Sequence, residues 1–152
     1  MLHRYEIFSA AIASMYHDVQ RIERVEMANY GLKGPHAQCL LAMSRYPEGL
    51  TSVKLCEICD KDKAAVSRTV AELEEAGLLT IEQRNGVRYR AILRLTEAGQ
   101  NAAESVCNRV ELAVAQAGEG LTEDQREVFY HVLAKISGNL HAICKNGLKE
   151  KE

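Results

Sequence analysis

The sequence has no tryptophan, only two phenylalanines and two prolines, and no apolar run near the roughly 18 residues that a membrane-spanning helix requires. A transmembrane protein is thereby excluded as a reading. The start Met1-Leu2-His3-Arg4-Tyr5-Glu6 lacks the basic-then-apolar order of a secretory leader, so a cytoplasmic location is expected. Five cysteines, an odd number without regular spacing, argue against a disulfide scaffold and for reduced thiols. An excess of positive charge is also missing: 19 Lys and Arg stand against 21 Asp and Glu, a net charge of −2. That excludes indiscriminate polyanion binding, but not a local basic surface. No HExxH motif, Ser/His/Asp set or Gly-rich phosphate loop occurs, so neither enzyme chemistry, a metal nor a cofactor is expected.

What is present is a chain of 152 residues, 47% apolar and 26% charged, the profile of a soluble and largely helical domain. From Leu2 to about Ala28 no Gly or Pro interrupts, and Phe8, Ile12, Met15, Val19 and Ile22 form a helical stripe. Gly31 to Gly34 ends it. Pro35 is suited to open a second helix reaching about Tyr46, with Cys39, Leu40 and Met43 facing inward. A short helix from Thr51 to about Ile58 follows, with Thr51 or Ser52 as cap and Val53, Leu55 and Cys56 as apolar contacts. Asp62 can cap another helix, with Val66, Val70 and Leu73 on one face and Gly77 just past its end. These two make a helix-turn-helix.

Leu78–Arg84 and Val87–Leu95 are rich in branched, alternating residues around Asn85-Gly86, a strong hairpin signal. Thr96 then caps a helix to about Ala117, with Ala102, Val106, Val110 and Ala113 on one side. Thr122 to Gln125 reads as a capping box opening a last helix that carries Phe129, Val132, Ile136, Leu140 and Ile143. The expected fold is therefore mainly α with a small β-hairpin wing. Its long terminal helices carry stripes that a second chain could cover.

On the helix after Asp62, Ala64, Ser67, Arg68 and Ala71 fall opposite the apolar face. Small residues let a helix approach base edges in the major groove, and Arg68 can reach a guanine or a phosphate. Arg84, Arg88, Arg90 and Arg94 crowd the hairpin, where phosphates would relieve their repulsion. Pairing with Glu82, Glu72, Glu74 and Glu75 is the alternative use of those arginines.

The run Leu50-Thr51, Leu55, Asp62 to Val70, Leu73 to Leu78 and Leu95 to Gly99 resembles the signature of the MarR family of bacterial transcriptional regulators. The resemblance implies a winged helix-turn-helix with long N- and C-terminal dimerisation helices. Residues 1–152 would form a single domain, with a DNA-binding module over 34–98 and a helical dimerisation region over 1–33 and 99–152. The implied DNA contacts are Thr51, Ser52, Lys63, Ala64, Ala65, Ser67 and Arg68, and in the wing Arg84, Asn85, Arg88 and Arg90. Family members commonly carry Asp-x-Arg before the second wing strand, where this chain has Val87 and Tyr89. Double-stranded DNA and a second copy of the chain are the implied partners. A small aromatic or anionic effector is implied as well, with Tyr16, His17 and His36 as candidate pocket residues. Cys59, beside Lys61 and Lys63 at a helix start, is a candidate oxidation sensor. The implied function is a repressor released from a pseudo-palindromic operator; the alternative is a winged-helix module that binds a protein partner instead.

Overall fold

The computed structural model describes residues 2–82 and 91–148. The chain divides into two compact units, residues 1–113 and 114–152. The first begins with α1 (Leu2–Ala28) and α2 (Gly34–Ser44). It continues through β1 (Leu50–Thr51), α3 (Ser52–Cys59), α4 (Lys63–Glu75), β2 (Leu79–Glu82) and β3 (Ile92–Leu95) into α5 (Glu97–Ala117). The second unit contains the end of α5 and all of α6 (Glu123–Asn146). No described helix is long and apolar enough to cross a membrane.

The expected helices are present, with small shifts at their ends. Helix α2 starts one residue before Pro35 and stops at Ser44, two short of Tyr46, because Arg45 caps it. The expected hairpin is a three-stranded antiparallel sheet in the order β1-β3-β2. β1, absent from the sequence reading, pairs Leu50 with Leu93 and Thr51 with Ile92. A two-residue strand has no alternation to detect. The anticipated strand arms are shorter, and the Asn85-Gly86 turn lies outside the described residues.

One core holds the first unit together: Leu40 and Met43 of α2, Leu55 of α3, Val66 and Leu73 of α4, and Val106 of α5 are all buried. Removing such side chains from water is the main stabilising term. Val53, expected as an apolar contact, is 48% exposed instead, since the residues of α3 that pack in or against the core are Leu55, Cys56, Ile58 and Cys59. Glycine is required where α5 begins. A Cβ on Gly99 would overlap the Leu78 carbonyl oxygen, to which the Thr96 N–H donates at 3.0 Å. The Thr96 hydroxyl donates to the Gly77 carbonyl (2.7 Å) and accepts from the Gly99 N–H (3.1 Å), stapling the start of α5 to the end of α4.

The long helices differ from this core. On α1, Phe8, Ile12 and Met15 stay exposed, while Glu23, Glu26 and Met27 near its C-terminal end are buried. The Glu26 carboxylate accepts from Ser105 Oγ (2.5 Å) and Arg109 Nε (3.4 Å), which ties α1 to α5. No residue of α6 is buried.

Candidate nucleic-acid interface

Helix α4 owes its start to Asp62, whose carboxylate accepts from the Ala65 N–H at 2.8 Å. It ends at Gly77 in the left-handed region, φ +72°. There Gly77 N–H donates to Glu74 O (2.9 Å) and Leu78 N–H to Leu73 O (2.9 Å), a Schellman closure. Between these ends Val66, Thr69, Val70 and Leu73 are buried, so rotation about the helix axis is fixed. Lys63, Ala64, Ser67, Arg68 and Ala71 are consequently exposed, and Ala65 is half-buried. Arg68 makes no ion pair among the described residues.

Charge is graded along α4. Lys61, Lys63 and Arg68 lie at or near its first turns, and Glu74 and Glu75 are exposed at its last. A polyanion is therefore attracted to the N-terminal half, where the helix dipole is also positive. The preceding helix α3 starts at Thr51, whose hydroxyl accepts from the Lys54 N–H (3.2 Å) and retains its own O–H for donation. Ser52 follows, half-buried. Between α3 and α4 the turn passes through Asp60, the one described non-glycine residue with positive φ (49°).

Of the wing residues singled out in the sequence, Arg84, Asn85, Arg88 and Arg90 lie outside the described residues, as do Val87 and Tyr89. Arg94 does not join a phosphate-facing cluster. Its guanidinium donates to both Glu82 oxygens (3.0 and 3.4 Å) across β2 and β3 and to the Pro47 carbonyl (3.1 Å). The register makes this inevitable: Thr80 faces Arg94, which puts Glu82 two residues away on the same side of the sheet.

The three suggested effector residues have separate surroundings. Tyr16 and His17 are exposed on α1, and the Tyr16 hydroxyl accepts from Gln20 Nε2 (2.8 Å). His36 is buried at 3% exposure. Its Nδ1 accepts from the Lys33 N–H (3.0 Å), which leaves the proton on Nε2 to donate to Glu72 at 2.6 Å. His36 thus joins the first turn of α2 to α4 rather than facing open space. Sequence spacing could not reveal this bond, because its partners are 36 residues apart. A groove of about 330 Å³ between the end of α2, β3 and α5 is lined by Met43, Tyr46, Leu95, Glu104 and Cys107 among others, and by none of the three suggested residues.

Behind the turn that leads to α4, thiols gather. Cys39 on α2 is fully buried, and Cys56 and Cys59 on α3 are half-buried against the same core. The protonated Cys59 thiol donates weakly to the Gln38 carbonyl (3.9 Å). Once Cys59 ionises, the Cys39 S–H becomes the donor, and this bond, assisted by the Lys61 ammonium, lowers the Cys59 pKa to about 7. The same bond and burial push the Cys39 thiol far up. The cause of Cys59 acidity is therefore chiefly a neighbouring thiol, which the sequence did not place. Glu23 of α1 also faces Lys61; one of its oxygens, Oε2, is buried without a hydrogen-bond partner among the described residues. Among those residues no group of side chains could hold a metal ion.

Residues 30–88 match the family model of the MarR family, and over that segment the resemblance read from the sequence is borne out. A search of curated proteins finds no match. Similar solved structures include a MarR family transcriptional regulator from Listeria monocytogenes complexed with 26mer DNA, at 24% identity, 94% of this chain, 97% of that one and a TM-score of 0.73. Another is a MarR transcriptional regulator from Methanosarcina mazei Go1, at 20% identity, 91% and 92% coverage and a TM-score of 0.80. A third, a MarR family regulator from Silicibacter pomeroyi, shares 21% identity over 85% and 86% of the two chains with a TM-score of 0.72. At these identities the likeness establishes the fold, a winged helix-turn-helix flanked by long helices.

Proposed function

We propose that this chain, whose residues 30–88 match the family model of the MarR family, is a DNA-binding transcriptional regulator and not an enzyme. In this reading it acts as a repressor: a homodimer holds a pseudo-palindromic operator and is released by a small-molecule or oxidative signal. The observation that carries the reading is the outward side of α4, where Ala64, Ser67, Arg68 and Ala71 are exposed over a firmly buried opposite face. A narrow ridge of this kind fits the major groove, with Ser67 and Arg68 as base or phosphate donors and the alanine methyls against thymine. Lys63 and Ala65 flank it, and Thr51 and Ser52 at the start of α3 offer hydroxyls to a phosphate. The wing contribution is assigned to Arg84, Asn85, Arg88 and Arg90. The DNA-bound state of the Listeria monocytogenes relative supports the same use of the fold here.

The second copy is proposed because two amphipathic faces lack cover in one chain. Phe8, Ile12 and Met15 of α1 and Phe129, Val132 and Leu140 of α6 are each between 38% and 49% exposed. Exposed apolar stripes of this length are uncommon on a monomer, and a two-fold partner would cover both and present two α4 helices about one DNA turn apart. A small aromatic or anionic effector would be met by Tyr16 and His17 on α1, while His36 would act by loosening its bond to Glu72 on α4.

Selection of bound fragments from random DNA, using the full chain, tests the reading. An inverted repeat should be enriched, and its affinity should fall steeply with salt as counterions are released. Ser67→Ala with Arg68→Ala should weaken it about tenfold or more without unfolding the protein. Failure to enrich any sequence would instead favour a winged-helix module that holds a protein partner.

A further inference from the structure

We propose that His36 is a positioning residue for DNA contact: by holding the Glu72 carboxylate it keeps that acid off Arg68, the guanidinium on the exposed side of α4. Arg68 and Glu72 stand four residues apart on α4, the spacing at which side chains share a helix face and opposite charges pair. The other neighbours of Arg68 at three and four residues are Ala64, Ala65 and Ala71, so Glu72 is its single acidic neighbour by helical spacing. The pair is nevertheless unmade. Arg68 makes no ion pair among the described residues, and Glu72 Oε2 accepts instead from His36 Nε2 at 2.6 Å.

Burial decides between the two partners. The His36 side chain is 3% exposed, and an Nε2–H without an acceptor there would suffer the full desolvation penalty. The Lys33 N–H, donating to Nδ1 at 3.0 Å, fixes the ring from its other side, so Nε2 stays aimed at α4. Glu72, 42% exposed, lies on the flank of α4 between buried Leu73 and exposed Arg68, and helical spacing lets it serve either side. Its bond to the buried ring is charge-assisted, whereas an exposed pair with the cation placed first is weak. Glu72 therefore goes to His36, and Arg68 keeps its donors for a guanine edge or a phosphate.

Loss of the ring redirects the carboxylate. Glu72 then pairs with Arg68 and adds a negative charge to the side that meets DNA. A helical pair of this spacing shifts an equilibrium about twofold, so the two reading helices of the proposed dimer should together lose about fourfold in operator affinity. This consequence rests on the DNA-binding reading; the division of Glu72 between His36 and Arg68 does not.

Operator affinity of full-length variants, measured beside the NMR signal of the Arg68 Nε–H, provides the test. His36→Leu should weaken binding about fourfold and move the Arg68 signal. Glu72→Ala added to it should undo both changes, although the histidine bond to Lys33 stays lost. Glu72→Ala alone deletes the same α2–α4 bond and should bind as tightly as the wild type or more so. His36→Gln, whose amide can accept from the Lys33 N–H and donate to Glu72, should match the wild type in both readouts. Melting curves set a temperature at which every variant is folded. If His36→Leu does not fold, Glu72→Ala still decides: an affinity loss of about fourfold there would make the bond a plain strut and overturn the proposal. An unmoved Arg68 signal in folded His36→Leu would overturn it as well. The NMR readout needs no DNA, so failure to select an operator counts against the DNA-binding reading and leaves the sequestration of Glu72 measurable.

Discussion

Helix α4 and helix α6 both begin at a side-chain cap, Asp62 and Thr122, and both carry an apolar stripe at helical spacing. Yet α4 buries Val66, Thr69, Val70 and Leu73, whereas no residue of α6 is buried. Periodicity says that a helix has a face to hide; it does not say where the cover comes from. For α4 the cover is α2, α3 and β2 of the same chain. For α6 we assign it to a second copy. The largest expected effect would break this contrast. Leu73→Ala, at a fully buried site, should cost about 4 kcal/mol in denaturant titration, independent of protein concentration. Phe129→Glu with Leu140→Glu should instead turn the proposed dimer into monomer by light scattering. Unchanged dimer mass in that variant would remove the proposed role of α6.

Next in size is a substitution at the seam of the α4 half. Gly99→Ala places a methyl against the Leu78 carbonyl, a backbone atom that cannot swing aside as a side chain would. Overpacking there should destabilise by about 3 kcal/mol, read as a shifted denaturation midpoint. Gly138→Ala on α6 meets nothing within 4 Å, so the matching change should be neutral or slightly stabilising. Equal losses at the two glycines would mean that the two helices are not as differently surrounded as their burial indicates.

The sequence made most of this contrast legible, and the omissions have a common cause. The caps at Asp62 and Thr122, the glycine after α4 and the stripe of Val66, Val70 and Leu73 are local signals, and each stands where its spacing put it. What stayed hidden are bonds between distant segments: His36 to Glu72, Glu26 to Ser105, and the Cys39–Cys59 neighbourhood. None has a sequence period, because each is set by how finished elements pack. The expected arginine patch illustrates this. Alternation left Arg94 two uses, a phosphate-facing cluster or a pairing with a nearby glutamate, and the strand register decides for Glu82.

A smaller effect sharpens the comparison at the caps themselves. Asp62→Ala and Thr122→Ala each remove a side-chain acceptor from an exposed helix start and should each cost about 1 kcal/mol. Only the first should also weaken operator binding, since only α4 is proposed to read DNA. A comparable loss of DNA affinity at Thr122 would point to indirect effects through the assembly.

The finest test lies within α1, where Glu23 and Glu26 are both 7% exposed and carry opposite shifts. Hydrogen bonding, first from Ser105 and then from Arg109, holds the Glu26 carboxyl below its ordinary value of 4.5. The folded state therefore gains from that carboxylate above pH 4.5 and loses the gain as pH falls through the lowered value. Glu23 behaves inversely. Burial raises its pKa, and Lys61 only partly offsets this, so its contribution is most favourable below pH 4.5 and is lost as pH rises through the raised value. Glu26→Gln should accordingly flatten the acid limb of the stability curve. Glu23→Gln should gain on the wild type as pH climbs from 4.5 toward neutrality, the two trends being read from urea midpoints at each pH. If both variants tilt the curve in the same direction, the Ser105 bond is not what distinguishes the two carboxyls.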